Sequence, residues 1–204
     1  MRISDRITCE AFPCTDVRHE GYLVPEVAIK PADVRVVLIS EAAPADPADW
    51  YYAKGEPLFA QTTVQAFQDA GADVSSIADI LKLGVYLTTA VKCAKTEYGL
   101  ATATVNECSQ LLERELDLFP HVRAWLLMGD VAIKAVNAIA KRAGQGRVIP
   151  AGSTYKIRGP EYTFGGGRAF PSYLQAGPSF FIEKSKRRMI AEDIAAALRV
   201  AGGA

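Results

Sequence analysis

Three short runs of consecutive apolar, mostly β-branched or aromatic residues punctuate the chain: VRVVLIS (34–40), VYLTTAV (85–91) and AWLLMG (124–129). Apolar on both faces and bounded by turn formers, they predict buried strands. Between them the apolar spacing changes to the three-and-four repeat of helices. FAQTTVQAFQDAG (59–71) predicts a helix ending at Gly71, and VSSIADILKLG (74–84) a second, short one. Thr104 and Glu107 have capping-box spacing, after which Val105, Cys108, Leu112, Leu116 and Phe119 share one helical face. DVAIKAVNAIAKRAG (130–144) predicts a helix with Asp130 as N-cap. IEKSKRRMIAEDIAAALRVA (182–201) predicts a closing helix with Ile190, Ile194, Leu198 and Ala201 on one side. RVIPAGSTYKIRG and FGGGRAFPSYL read as strand-like pieces around glycine-rich turns, and residues 1–33 as an irregular segment.

Strands alternating with helices predict an α/β protein whose parallel sheet is covered on both faces. Ligands of such sheets sit at the carboxyl ends of the strands. That rule singles out residues 41–59, 92–103, 129–130 and 170–181. Neither GxxxxGK[ST] nor a strand-borne GxGxxG is present, which excludes the two common nucleotide-binding loops.

Composition narrows the picture further. At 204 residues the chain fits one domain, and 50% hydrophobic residues suffice for a sizeable core. The 23 basic and 23 acidic residues cancel, so an anionic partner must be argued from position rather than from net charge. No run reaches the ~20 apolar residues of a membrane span. MRISDRITCEAF lacks the apolar core of a secretory signal. A cytoplasmic location with no membrane partner is therefore expected, and clustered cysteines there serve metal or redox chemistry more often than disulfides.

Three stretches could carry chemistry. Cys9 and Cys14 lie in the irregular segment, Cys93 just past the second strand, and Cys108 in the following helix. Four thiols suit zinc, an iron–sulfur cluster or simple burial; the C-x4-C spacing and spread positions suit a bulky cluster better than zinc knuckles. Glu41 stands directly after the first strand, where a water-positioning base is wanted, followed by Asp46, Asp49 and the aromatics Trp50, Tyr51, Tyr52 and Phe59. Turn formation by the acids and core packing by the rings are the plainer readings of that stretch. Last, a loop with Gly177, Pro178 and Ser179 leads into a helix bearing Lys184, Lys186, Arg187 and Arg188. These groups suit phosphates, and equally a solvated helix face.

Taken in order, these stretches resemble the uracil-DNA glycosylase superfamily, and within it the iron–sulfur, family-4-like branch. Ser40-Glu41-Ala42-Ala43-Pro44 and Gly55-Glu56-Pro57-Leu58-Phe59 resemble its Gly-Glu-x-Pro-Gly and Gly-Arg-Pro-Phe motifs. Thr89-Ala90-Val91-Lys92-Cys93 resembles its Asn-x-Val-Lys-Cys strand end, LLMGDVAIKAV its third strand and helix, and Lys156-x-Arg158-Gly159 its Arg-Gly turn. Ala191-Glu192-Asp193-Ile194 resembles its closing helix.

The resemblance implies a three-layer α/β/α sandwich with a four-stranded parallel sheet, formed by residues 1–204 as a single domain. It implies a [4Fe–4S] cluster on Cys9, Cys14, Cys93 and Cys108. It implies base excision from DNA, single-stranded DNA included, by an N-glycosylase. Glu41 would position water, Phe59 and Thr89 would meet the base, and Gly177 and Ser179 would grip the strand. Lys92, Arg158, Lys184, Arg187 and Arg188 would meet phosphates. Two departures stand out. Thr89 replaces the base-reading Asn and cannot offer its bidentate amide. The His of His-Pro-Ser is absent, whether Phe170-Pro171-Ser172 or Gly177-Pro178-Ser179 is the counterpart; the second fits the distance to the closing helix better. A catalytically silent nucleic-acid-binding relative, or a cysteine-metal protein acting on a small molecule, remain the alternative expectations.

Overall fold

The structure is a computed structural model, which describes residues 1–97 and 99–202. Its strands, numbered in chain order, are β1 (Val17–Arg18), β2 (Val36–Ala43), β3 (Val85–Lys95), β4 (Ala124–Met128), β5 (Tyr162–Phe164) and β6 (Gly167–Ser172). The helices are α1 (Leu58–Asp69), α2 (Ile77–Lys82), α3 (Thr102–Leu116), α4 (Asp130–Arg142), α5 (Thr154–Ile157), α6 (Ser179–Ile182) and α7 (Lys184–Gly202).

All the described strands join one sheet, in the order β1-β3-β2-β4-β6-β5. The inner strands β3, β2, β4 and β6 run parallel; the first three are the apolar runs, and β6 falls in the strand-like piece FGGGRAFPSYL. The expected four-stranded parallel sheet is nevertheless too small, since an antiparallel strand borders each edge and makes a six-stranded mixed sheet. β3 continues past Val91 to Lys95, and that extra length offers Ala94 and Lys95 to β1. At the other edge Gly165 and Gly166, both at positive φ, turn β5 back onto β6 as a hairpin.

Alternation along the buried strands divides the interior into two layers. Val37, Ile39, Tyr86 and Leu127 face α3, α4 and the N-terminal segment, which contributes Ile3 and Ile7. Val36, Leu38, Leu87 and Leu126 face the other way, toward Trp50, Tyr51, Phe67 of α1 and Ile190 and Ile194 of α7.

Three local expectations fail for identifiable reasons. Asp130 is the first residue of α4 rather than its N-cap, because Gly129, at φ 96°, occupies the cap position without a capping side chain. Thr104 is not the cap of α3, because the helix begins at Thr102. The carboxylate of Asp16 takes that role, accepting from Ala101 N–H at 2.6 Å and from the Thr104 hydroxyl. An anionic acceptor at a helix N-terminus outcompetes a neutral one. Around Tyr155 the expected strand is instead the single turn α5, in which Lys156 and Ile157 N–H bond Ser153 O and Ile157 is buried.

Polar groups also tie the layers together. Lys92 of β3 and Glu115 of α3 form an ion pair with both side chains 0% exposed. Arg158 holds α7 through Asp193 Oδ1 at 2.8 Å and Met189 O at 2.9 Å. Ser172, at the end of β6, donates to Asp193 Oδ2 at 2.6 Å.

Candidate functional site

At the carboxyl ends of β2 and β4 the backbone delivers Glu41 against the start of α4. Gly129 has φ 96°, and a Cβ there would stand 2.6 Å from Glu41 Oε1. Only glycine permits both this backbone and this approach. Val131 N–H, in the first turn of α4, lies 3.5 Å from Glu41 Oε1, and Lys95 Nζ lies 4.0 Å from Oε2. The carboxylate is thus placed between the first turn of a 13-residue helix and a lysine. Its side chain keeps 21% exposure, so water can reach it.

Glu41 lines a cleft of about 260 Å³ together with Asp130, Tyr173, Ser179, Phe180 and Arg187. Rims of both charges meet here. Lys186, also lining the cleft, pairs with Glu183 and lies 5.4 Å from the centre of the Tyr173 ring. Arg187 pairs with Asp69 of α1 and sits 5.2 Å over Phe180. No histidine among the described residues lines the cleft.

The two candidate counterparts of His-Pro-Ser differ in setting. Phe170-Pro171-Ser172 is buried in β6, paired with Leu126–Met128. Gly177-Pro178-Ser179 forms the turn into α6 and brings Ser179 to the cleft. Tyr173, which no sequence motif marked, reaches the same cleft because it is the first residue beyond β6.

Other expected site residues lie elsewhere. Phe59 packs against Tyr51, ring centres 5.4 Å apart, and Thr89 is fully buried in β3. Lys92 cannot reach a phosphate, since its ammonium is sealed against Glu115, Thr88 Oγ1 and Thr89 O. Arg158 is engaged by α7 and is about five-sixths buried, at 16% side-chain exposure. Lys184 and Arg188 are exposed on the outer side of α7.

The cysteines, distant in sequence, gather between the N-terminal segment, the end of β3 and α3. Cys9, Cys14 and Cys108 line a hollow of about 250 Å³. Burial pushes the Cys93 thiol up to about 12, with further upward push from Cys108, Cys9 and Cys14. Burial likewise raises Cys108 to about 11, and Cys14 moves upward for the same first reason. Four thiols match a thiolate-bound metal or cluster in kind, while the upward shifts keep Cys14, Cys93 and Cys108 protonated when no cation is bound. Among the described residues no three potential ligands stand together in metal-holding positions.

A model of the uracil DNA glycosylase superfamily matches residues 28–192, and the chain belongs to that superfamily. A Type-5 uracil-DNA glycosylase of Thermus thermophilus is 27% identical over 124 residues, 61% of this chain and 54% of the relative. The chain spans about half the length of this curated relative. Among the described residues no helix is long and apolar enough to cross a membrane.

Proposed function

We propose that the chain is a DNA N-glycosylase that excises uracil or another damaged base, with Glu41 as the group that positions and deprotonates water. The observation that carries this reading is the Glu41 carboxylate, fixed by Gly129 and the start of α4 in a solvent-reached cleft at the strand ends. Water oxygen would attack C1′ of a nucleotide turned out of the stack while the C1′–N bond breaks. The bonding pair leaves with the base, and the proton lost by water passes to Glu41. Arg187 and Lys186 at the rim, with exposed Lys184 and Arg188 beyond, would meet the flanking phosphates. Gly177 and Ser179 would contact the strand where their turn borders the cleft.

The test is release of base from single- and double-stranded oligonucleotides carrying uracil, hypoxanthine, xanthine or mismatches. Glu41→Gln should lower the single-turnover rate by roughly 10²–10⁴, the usual contribution of a positioned base. Absence of release from every substrate, or an unchanged rate in Glu41→Gln, would overturn the reading.

A second reading is a catalytically silent DNA-binding relative. It is favoured by the absence of histidine from the cleft lining and by the burial of Thr89 away from it. Salt-dependent oligonucleotide binding without base release would support it.

We further propose that Cys9, Cys14, Cys93 and Cys108 hold a [4Fe–4S] cluster. When bound, it would supply a rigid covalent tie between the N-terminal segment, β3 and α3. Iron and sulfide analysis of anaerobically prepared protein, with visible sulfur-to-iron absorption lost in Cys108→Ala, tests this; colourless, iron-free protein refutes it.

A further inference from the structure

On the face of the sheet turned away from α1 and α7, helices α3 and α4 leave a groove of about 740 Å³ between them. Ala103, Val105 and Ala138 give it an apolar lining. The rim is cationic. Lys134 and Lys141 of α4, and Arg147 of the loop that follows, are exposed, and none of the three has an ion-pair partner among the described residues.

Glu107 is the one carboxylate among the described lining residues, and Gln110 Nε2 donates to it at 3.1 Å. A chain with 23 basic and 23 acidic residues thus sets four cations, Arg142 included, against one carboxylate here. The charge is specific to this groove. The groove of about 670 Å³ between α1 and α2, on the other face, is lined by glutamines, serines and Glu56, with no cation among its described residues.

The groove is also preformed. Arg142 ties its two walls together, donating to Glu113 Oε2 at 2.7 and 3.0 Å and to Ser109 Oγ at 2.7 Å. Asn137 pins the following loop with both ends of its amide: Nδ2 donates to Ile149 O and Oδ1 accepts from Ile149 N–H, each at 3.0 Å. Arg147 is thereby held at the rim, two residues before that clamp. A ligand entering such a groove has little of the protein left to order.

Apolar lining under unpaired cations calls for apolar groups flanked by carboxylates. A phosphate backbone would use the cations and leave the lining uncovered. A strand entering the Glu41 cleft also leads elsewhere, since Phe180 and Ile190 of that cleft belong to the layer on the opposite face of the sheet. Both Thr102 and Gln110 line the groove, so its α3 wall rises about 12 Å. Apolar anchors at i, i+4 and i+7 of a second helix span about 10 Å and fit that wall.

We infer that the α3–α4 groove docks an acidic amphipathic helix of a partner protein. The anchors of that helix cover Ala103, Val105 and Ala138, and its carboxylates meet Lys134, Lys141 and Arg147. The site is separate from the Glu41 cleft and does not depend on base excision.

The experiment pans a displayed library of random short peptides on the full chain, then measures synthetic copies of the enriched peptides by fluorescence anisotropy. The enriched peptides should combine helically spaced apolar residues with carboxylates. Their affinity should fall about tenfold or more in Lys134→Glu/Lys141→Glu, and replacing their glutamates by lysine should restore binding to that variant, which loss of fold would not do. If the reversed variant does not fold, Lys134→Gln/Lys141→Gln is measured in its place, with a smaller fall expected. Absence of enrichment, enrichment of peptides without carboxylates, or equal affinity for variant and unaltered chain overturns the inference. Oligothymidylate is titrated in parallel: if its affinity falls about tenfold in the variant and no acidic peptide is enriched, the groove carries nucleic acid and the inference is likewise overturned.

Discussion

Lys92 and Glu115 form an ion pair with no access to solvent, and every polar atom of the pair is used. The ammonium also donates to Thr88 Oγ1 and Thr89 O, both at 2.7 Å, while Glu115 Oε1 accepts from Tyr86 at 2.6 Å and Thr88 at 2.9 Å. Breaking one side leaves the other charge buried and unpaired, so Glu115→Ala should cost about 3–5 kcal/mol. Replacing both together, Lys92→Met with Glu115→Leu, should recover most of that loss. Chemical denaturation of the three variants measures the difference, and equal losses for single and double replacements would refute it.

The same burial separates Lys92 from the surface cations in any contact with nucleic acid. Neutralising Lys184 and Arg188 should flatten the dependence of oligonucleotide affinity on salt, by about one unit of slope for each phosphate no longer neutralised. Lys92→Met made together with Glu115→Leu, which leaves no unpaired buried charge, should leave the slope unchanged. Fluorescence anisotropy across a salt series reads both.

Gly129→Ala should disable Glu41 without touching it chemically. The added methyl would meet Glu41 Oε1 at 2.6 Å and Cγ at 2.8 Å on a backbone that already disfavours a side chain. The expected stability loss is about 1–3 kcal/mol, and the carboxylate must turn away. Base release should fall as far as in Glu41→Gln while oligonucleotide binding persists. Full activity in folded Gly129→Ala would show that the position of this carboxylate is immaterial.

Arg187 beside Asp69 holds that carboxyl below its ordinary value of 3.8. A depressed carboxyl pKa adds stability that is complete above the unfolded value and is lost as pH falls through the folded one. The difference in melting temperature between the unaltered chain and Asp69→Asn should therefore be constant near neutrality and shrink below about pH 4. A difference that grows on acidification would contradict the assignment. Because Arg187 also lines the cleft, the same acidification should loosen its rim.

Much of the architecture was readable in the residues because burial on both faces leaves an unambiguous signature. The runs around Leu38, Leu87 and Leu126 became the parallel centre of the sheet, and the long amphipathic helices fell within a few residues of expectation. The two edge strands escaped because Val17–Arg18 and Tyr162–Phe164 are too short to show a period; pairing partners define them. At the site, Glu41 was marked by its place after a strand, which the fold converts directly into a position. Lys92 illustrates the opposite. A lysine in a strand-end motif reads as a surface cation until Glu115, 23 residues away, turns out to face it. The buried hydrogen bond from Gln175 to Tyr51 carried no signal, since it spans 124 residues and depends on how β2 and β6 are ordered in the sheet.

The cap that Asp16 places on α3 has a consequence for biosynthesis. Asp16 meets Ala101 and Thr104 across sequence separations of 85 and 88 residues. At translation rates of roughly 5–20 residues per second, the interval between the two segments lasts on the order of 4–18 s. For most of it the arm bearing Cys9 and Cys14 has no β3 to dock on, and α3 comes only at its end. Its thiols stand open to oxidants, metal carriers and chaperones, and close over only when the middle of the chain emerges.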